Sequence, residues 1–312
     1  MQDSLSRFSY PSHPNRYVGR FAPSPTGPLH FGSLIAALAS FLDARANKGR
    51  WLLRMEDIDQ PRCVDGANTV IVEQLRAHGL QWDGDIWYQS QRLDAYKSII
   101  DTLHQQNRVY GCGCTRKQIR LQGGIYPGTC RQASRPLQDN AVRLQCDHMV
   151  SEFTDLILGP VSVTEPHALE DTLLQRRDGI YSYNLVVVVD DIAQGVTHIV
   201  RGSDLLDTTA AHLTLYHCLG ASPPQYAHIP VAATTAGRKL SKQNHARALD
   251  CQTPEHNLLR ALDFLGLSAV QGSTVSDILD SAIASWQYGN VPKMQEVIVD
   301  EAESTYHTGR DI

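Results

Sequence analysis

The chain has 312 residues, of which 42% are hydrophobic and 20% charged, the balance of an ordinary globular protein with one large or two modest domains. Its net charge of −5 argues against a surface coated with basic residues for nucleic acid, although a local basic face stays open. No apolar run approaches the roughly eighteen residues of a membrane helix, and residues 1–16 lack the apolar core of a secretory signal. We therefore expect a cytoplasmic protein with no membrane partner and a polar leader at 1–16.

The first part of the chain has the pattern of a βαβ unit. Residues 17–22 predict a short strand, and the proline-rich residues 23–28 predict a loop. Apolar residues then recur at helical spacing from Leu34 to Leu42, and residues 51–55 predict a second strand. Such a unit predicts a parallel sheet with right-handed crossovers.

A change in composition marks an inserted segment. Helical patterns at 67–78 and 93–106 are followed, from residue 110, by frequent Gly, Cys and Pro. Strand candidates in this segment are 141–145 and 153–163. We interpret the segment as a subdomain inserted into the α/β arrangement.

The remainder of the chain returns to longer elements. The run Val186–Val189 has strand propensity, although its short length leaves a buried helix open. Residues 197–200 predict a strand and residues 203–219 a helix. The sequence thus predicts an α/β fold, with a Rossmann-like parallel-sheet catalytic domain, an inserted subdomain and a short helical C-terminal region. The predicted divisions are a first half at 17–109, the insertion at 110–180, a second half with a lysine loop at 181–244, and the C-terminal region at 245–312.

Two elements suit the handling of phosphates. His30 and Gly32 lie where the first predicted helix begins, and a helix start offers free backbone N–H groups and a positive dipole end to an anion. The Walker pattern is absent. Gly237 to Lys242 is a basic loop whose two lysines suit a leaving pyrophosphate, on which negative charge grows.

These residues resemble a known family. Residues 20–33, Arg-Phe-Ala-Pro-Ser-Pro-Thr-Gly-Pro-Leu-His-Phe-Gly-Ser, are similar to the first signature of class I glutamyl-tRNA synthetases. Lys239-Leu-Ser-Lys-Gln243 resembles their lysine loop, and residues 54–59 and 188–201 match further landmarks in the same order. The resemblance covers roughly residues 17–243.

The resemblance implies activation of glutamate by ATP, with Mg²⁺ shielding the phosphates. It implies that His30 and Lys242 are catalytic. The glutamate-binding residues that it implies are Arg20, Ser24, Glu56, Tyr183 and Arg201, and the ATP-binding residues are His30, Gly32, Ser33, Lys239 and Lys242. The two arginines suit a carboxylate, which a guanidinium grips in a bidentate fork, and Glu56 suits the ammonium group. Ser33 stands where the family often has histidine, and Leu240 and Gln243 replace Met and Ser of the nominal loop.

The length of chain after the lysine loop bears on the acceptor of the glutamyl group. The stretch after Asn244 is too short for the anticodon-recognition region of a full glutamyl-tRNA synthetase. The short architecture resembles that of family members that transfer glutamate to queuosine in the anticodon loop of tRNA(Asp). The implied partners are therefore ATP, L-glutamate and queuosine-containing tRNA(Asp), with a monomer as the default state.

Three alternatives stay open on the sequence. One is a short glutamyl-tRNA synthetase that charges a tRNA 3′ end with the same active-site residues. Another is a small-molecule adenylate or nucleotidyl transferase, which would lack the set of Arg20, Glu56 and Arg201. The third is a tRNA-binding or regulatory module with an inactive site.

Cysteines cluster in the predicted insertion. Cys112, Cys114 and Cys130 are thiols at the close spacing that suits a structural Zn²⁺ site, which requires a fourth ligand. On residue type alone, His104 or Cys146 ranks above Tyr126 as that ligand. The resemblance implies Cys112, Cys114, Tyr126 and Cys130.

Overall fold

The computed structural model describes residues 17–240 and 247–299. The predicted leader at 1–16, the lysine-loop residues Ser241, Lys242 and Gln243, and the last part of the C-terminal region lie outside the described residues.

The first half alternates strands with helices, as the sequence predicts. In chain order its elements are β1 (Val18–Phe21), α1 (Phe31–Ala46), β2 (Arg50–Met55), α2 (Ala67–Ala77), β3 (Trp87–Tyr88) and α3 (Leu93–Gln105). β1, β2 and β3 are parallel neighbours. The strand residues of β1 are all buried, and those of β2 are buried from Trp51 onward, as expected for parallel strands covered on both faces.

The segment predicted as an insertion contains short strands. Its elements are β4 (Val109–Cys112), α4 (Arg116–Leu121), β5 (Ala141–Leu144), β6 (Glu152–Asp155), β7 (Gly159–Ser162) and β8 (Leu173–Gln175). β4, β5 and β8 form an antiparallel sheet of their own. The strand predicted at 153–163 is instead the hairpin β6–β7, because the side chain of Asp155 accepts hydrogen bonds from Ile157 N and Leu158 N, both 2.9 Å, and turns the chain.

The second half resumes the parallel sheet. Its elements are α5 (Tyr183–Gln194), β9 (His198–Gly202), α6 (Thr208–Cys218), β10 (Gln225–Ile229), β11 (Val231–Thr235) and β12 (Arg238–Lys239). β9 and β6 flank β10 in parallel, and a 2.9 Å backbone hydrogen bond from Thr197 N to Val18 O places β9 beside β1. The central sheet therefore runs β3-β2-β1-β9-β10-β6-β7, an α/β arrangement that confirms the predicted parallel sheet.

The strand prediction at Val186–Val189 is wrong, and the alternative of a buried helix is confirmed. The four valines lie in α5, which begins with the Ser182 side chain accepting from Leu185 N and ends at Gly195 in the left-handed region. All four are buried. Burial of one such side chain stabilises by about 1.5–3 kcal/mol, which outweighs a helix-propensity cost below about 1 kcal/mol per residue.

The C-terminal region packs on the first helix of the sheet. Its elements are α7 (Pro254–Phe264), α8 (Val275–Ser285) and β13 (Glu296–Ile298). The helices α7 and α8 agree with the helical C-terminal region that the sequence predicts, and Leu258, Leu262 and Leu265 are buried in the core shared with α1. The strand β13, which is parallel to β11, is not predicted because three residues are too few to show a period. No helix in the described ranges is long and apolar enough to cross a membrane.

A buried carboxylate joins this region to α1. Asp43 accepts hydrogen bonds from Trp286 Nε1 at 2.9 Å, from Tyr288 Oη at 2.6 Å and from Tyr17 Oη. Asp43 is 1% exposed, so its charge depends on these donors for stabilisation. The contacts explain why the C-terminal segment returns to the start of the chain.

We expect Asp43→Asn to lower the free energy of unfolding by about 2–3 kcal/mol, because hydrogen bonds to a charged group contribute about 1.5–3 kcal/mol and the amide replaces an acceptor by a donor. Urea unfolding followed by tryptophan fluorescence measures the change. Asp280→Asn, at an exposed position of α8, is the matched control. Equal stability of the two variants would contradict the role given to Asp43.

Candidate functional site

The strand order creates a crevice between β1 and β9. The chain leaves β1 toward β2 on one side and leaves β9 toward β10 on the other, and ligands of α/β sheets bind at such a point, beyond the carboxyl ends of the strands. A cavity of about 720 Å³ opens there. It is lined by every described residue that the sequence predicts for glutamate or ATP: Arg20, Ser24, His30, Gly32, Ser33, Glu56, Tyr183, Arg201 and Lys239.

His30 is fixed at the start of α1. As the N-cap residue, it accepts a 3.3 Å hydrogen bond from Ser33 N at Nδ1, so the neutral ring carries its proton on Nε2 and presents a donor there. Gly32 makes this ring position accessible, because a Cβ at residue 32 would lie only 3.1 Å from Cε1 of His30. The geometry thus gives Gly32 a packing role in addition to its predicted place at the start of the helix.

The lysine loop leaves the sheet at the edge of the same cavity. Lys239 forms an ion pair with Asp204, and both residues line the cavity. Leu240, which also lines it, donates its backbone N–H to Ala232 O at 2.7 Å. Lys242 follows two residues later, outside the described residues.

Arg20 is anchored by a buried carboxylate on α5. Its Nε donates to Asp191 Oδ1 at 3.3 Å, and the same oxygen accepts from Arg54 Nη1 at 2.8 Å. Burial opposes ionisation of Asp191, but the two guanidinium groups outweigh it and hold the pKa of this carboxyl below its usual range. Nε carries this contact, and no described residue accepts a hydrogen bond from the terminal NH₂ groups of Arg20, so these groups can form a bidentate contact with a ligand.

Glu56 lies in the same charged group. Its Oε1 is 3.7 Å from Arg54 Nη2. Burial raises the pKa of Glu56 to about 7, and the nearby Arg54 and Arg20 oppose that rise. The carboxyl of Glu56 therefore changes charge near neutral pH.

Arg201 is held in a different way, by neutral acceptors. Its donors reach His228 Nε2 at 3.1 Å, His212 Nδ1 at 3.4 Å, Leu205 O at 3.0 Å and Thr209 Oγ1 at 2.8 Å. A guanidinium has five N–H bonds, so one remains for a ligand. The bidentate fork predicted for both arginines is therefore compatible with Arg20 but not with Arg201 in this arrangement.

The sequence prediction missed four residues that shape the site. Arg54 and Asp191 lie in segments that match family landmarks but carry no predicted role, and neither His212 nor His228 is predicted. For Arg54 and Asp191 a signal exists in the sequence: two consecutive aspartates follow directly after four valines. A carboxylate next to such an apolar run is expected to be buried, and a buried charge requires a partner. The histidines give no such signal, since their shared contact with Arg201 exists only in the folded chain.

The three predicted cysteines also meet. The sulfur atoms of Cys112, Cys114 and Cys130 lie within 4.8 Å of one another, and Cys114 Sγ is 3.7 Å from Cys130 Sγ. Tyr126 belongs to the same small core, and its Oη accepts from Cys130 N at 2.9 Å. Cys146 lies elsewhere, with its Sγ 3.6 Å from Cys218 Sγ. The folded chain therefore brings Tyr126, and not Cys146, to the three thiols.

We expect Asp191→Asn to lower the free energy of unfolding by about 3–5 kcal/mol, because the substitution removes the carboxylate that pairs with buried Arg20 and the carboxylate at the shortest distance from buried Arg54. Urea unfolding measures the change, and Asp85→Asn, at an exposed loop position, is the control. If Asp191→Asn unfolds at the same urea concentration as that control, the network does not stabilise the fold.

Comparisons with known proteins agree with this geometry. Residues 17–281 match the family model for the catalytic domain of class I tRNA synthetases (E and Q). The chain is 49% identical over 283 residues to the glutamyl-Q tRNA(Asp) synthetase of Shewanella oneidensis, covering 91% of this chain and 95% of that one. It is 50% identical over 281 residues to the protein of the same name from Escherichia coli K12, covering 89% and 91%.

A solved structure shows the same fold. The glutamate-tRNA synthetase of Elizabethkingia anophelis superimposes with a TM-score of 0.75 at 24% identity, covering 93% of this chain and 69% of that one. The chain therefore has the fold of a class I synthetase catalytic domain, and it belongs to the glutamyl-Q tRNA(Asp) synthetase family of class I tRNA synthetases.

Proposed function

We propose that this protein activates L-glutamate with ATP and transfers the glutamyl group to queuosine in the anticodon loop of tRNA(Asp). The observation that carries the proposal is the sequence identity of 49–50%, over about nine-tenths of the chain, to proteins named glutamyl-Q tRNA(Asp) synthetase. The cavity at the switch point supports it, because one space collects cationic, anionic and helix-start groups suited to an amino acid and a nucleotide. Family membership as a ligase argues against the small-molecule transferase and the inactive module.

The glutamate-binding roles are assigned by charge. Arg20 grips one carboxylate of the substrate through its terminal NH₂ groups, and Arg201 offers one N–H and its positive charge to the other. Glu56, when ionised, neutralises the ammonium group. Ser24 and Tyr183 line the same cavity and complete the set.

The ATP-binding roles are assigned to the start of α1 and to the two lysines. The Nε2–H of His30 donates to a phosphate oxygen, and the helix start at Gly32 and Ser33 adds backbone N–H groups. Lys239 and Lys242 stabilise the leaving pyrophosphate. The α-carboxylate of glutamate attacks the α-phosphorus, the bond to the β-phosphate breaks, and glutamyl-adenylate and pyrophosphate form. Mg²⁺ bound with ATP shields the phosphate charges.

We assign the acceptor nucleoside to a second cavity. A space of about 460 Å³ adjoins the first and shares with it Ser24, Thr26, Glu56, Arg62 and Tyr183. A nucleoside there would lie against the carbonyl end of the adenylate. A ring hydroxyl of queuosine then attacks that carbonyl carbon, AMP leaves, and an ester forms.

We also propose that Cys112, Cys114, Cys130 and Tyr126 hold a structural Zn²⁺ within the insertion at 110–180. In a tetrahedral site with Zn–S bonds of about 2.3 Å, the sulfur atoms lie about 3.8 Å apart, close to the 3.7 Å between Cys114 and Cys130. The separate antiparallel sheet of β4, β5 and β8 supports treating this segment as a unit, although β6 and β7 join the central sheet.

The acceptor assignment predicts that radiolabelled glutamate is transferred to queuosine-containing tRNA(Asp) and not to the same tRNA lacking queuosine. Acceptance of glutamate at the 3′ end of tRNA(Glu), with equal labelling of both forms of tRNA(Asp), would favour the short glutamyl-tRNA synthetase instead.

The assignment of Glu56 predicts a pH effect on glutamate activation. The ionised carboxyl binds ammonium, and its pKa is about 7, so kcat/KM for glutamate in pyrophosphate exchange should rise with pH through about 7.

Glu56→Gln should remove the rise of kcat/KM with pH. It should also increase KM for glutamate about 10- to 100-fold, because one charge-assisted contact with the substrate is lost. Glu73→Gln, exposed on α2, is the control. The role of Glu56 would be contradicted if kcat/KM of the wild type did not change across neutral pH. It would also be contradicted if the rise with pH persisted in Glu56→Gln.

The metal proposal predicts about one equivalent of zinc per chain in protein purified without chelators. Cys130→Ser should lose most of it, whereas Cys146→Ser, which alters the separate thiol pair, should retain it. Mass spectrometry of metal content measures both. Wild-type protein with less than about a tenth of an equivalent would overturn the proposal.

A further inference from the structure

The guanidinium of Arg201 is buried among neutral acceptors. Arg201 is 5% exposed, and in the described part of the chain no Asp or Glu oxygen lies within 4.0 Å of it, whereas Arg20 and Arg54 both pair with Asp191. Its hydrogen bonds go to two histidines, a hydroxyl and a backbone carbonyl. The positive charge of Arg201 is therefore positioned but not neutralised by these contacts.

His228 must be neutral with its proton on Nδ1. Its Nδ1 lies 2.7 Å from Asp155 Oδ2. Burial raises the pKa of Asp155, but hydrogen bonds to its carboxylate outweigh that effect and hold the pKa below its usual range. An ionised carboxylate only accepts, so Nδ1–H donates to it. The lone pair on Nε2 then accepts from Arg201 Nε at 3.1 Å.

His212 requires the opposite tautomer. Its Nδ1 faces Arg201 Nη1 at 3.4 Å and must accept, because a guanidinium only donates. Its Nε2–H then donates to Asn184 Oδ1 at 3.2 Å. Burial and the charge of Arg201 both lower the pKa of His212 well below its ordinary value.

The cost of this arrangement indicates its purpose. A buried guanidinium is more readily stabilised by a carboxylate, as at Asp191, than by two imidazoles. A carboxylate beside Arg201 would, however, cancel the charge that attracts a substrate carboxylate. Neutral acceptors fix the orientation of the guanidinium and keep its charge for the ligand.

We propose that His228 and His212 are positioning residues that hold Arg201 as neutral acceptors of opposite tautomers, and so determine the affinity of the site for the carboxylate of the amino-acid substrate. This inference rests on the proposed activation of glutamate. Asp155 and Asn184 act one step further out, because each fixes the tautomer of one ring.

Asparagine and glutamine variants separate the two ring nitrogens of each histidine. An asparagine side-chain oxygen lies near the place of Nδ1, and a glutamine oxygen near that of Nε2. His228→Gln and His212→Asn therefore keep an acceptor for Arg201. His228→Asn and His212→Gln remove it while keeping a polar side chain of similar kind.

The readout is glutamate-dependent pyrophosphate exchange with separate KM values for glutamate and ATP. We expect His228→Asn and His212→Gln to raise KM for glutamate about tenfold or more, the effect of one lost hydrogen bond to a charged group, with KM for ATP unchanged. His228→Gln and His212→Asn should stay within about threefold of wild type. His104→Gln, exposed on α3, is the control.

Two results would overturn the inference. One is a KM for glutamate that is unchanged in all four variants. The other is a KM for glutamate that rises equally in the acceptor-keeping and acceptor-removing variants, in proportion to their loss of thermal stability. That result would indicate that the histidines act through packing alone. A wild-type enzyme without glutamate-dependent exchange would instead refute the proposed function, so the two failures are distinguishable.

Discussion

The buried carboxylate of Asp191 is the interaction on which the rest of the site depends. It lies on α5 and binds Arg20 on β1 and Arg54 on β2, which are 171 and 137 residues away in the chain. This one group therefore joins the first half of the sheet to the helix that precedes β9. Because it lies between two cations, it also brings Arg54 close enough to moderate the pKa of Glu56. The contacts of Asp191 thus stabilise the fold and also shape the electrostatics of the cavity.

The two arginines that face the cavity are treated in opposite ways, and this asymmetry suits an amino acid with two carboxylates. The charge of Arg20 is partly neutralised by Asp191, but its terminal NH₂ groups can still form a bidentate contact with a ligand. Arg201 uses nearly all its N–H groups internally but keeps its charge. Under the proposed assignment, Arg20 binds one substrate carboxylate in a bidentate fork, Arg201 supplies positive potential for the other, and Glu56 provides the negative charge for the ammonium group.

The sequence predicted local features well and long-range pairing poorly. The first strands and helices, the glycine at residue 32 and the meeting of Cys112, Cys114 and Cys130 follow from spacing within short segments. The strand at Val186–Val189 failed because propensity is a weak term beside complete burial between helices. The roles of Arg54, Asp191, His212 and His228 were missed because each is defined by a partner on another element of the fold, from 11 residues away for His212 and Arg201 to 137 for Asp191 and Arg54. A single sequence does not show such contacts.

The backbone beside His30 forms hydrogen bonds with the residues that follow the lysine loop, about two hundred residues later in the chain. Leu29 accepts from Leu249 N at 2.7 Å, on the far side of the lysine loop. Gln74, 3% exposed on α2, accepts from Leu29 N at 2.7 Å and donates to Leu249 O at 3.0 Å. Leu240 is held to β11 at the near side. The described residues on both sides of positions 241–246 are therefore hydrogen-bonded to the walls of the cavity, Leu240 to β11 and Leu249 to the loop that positions His30.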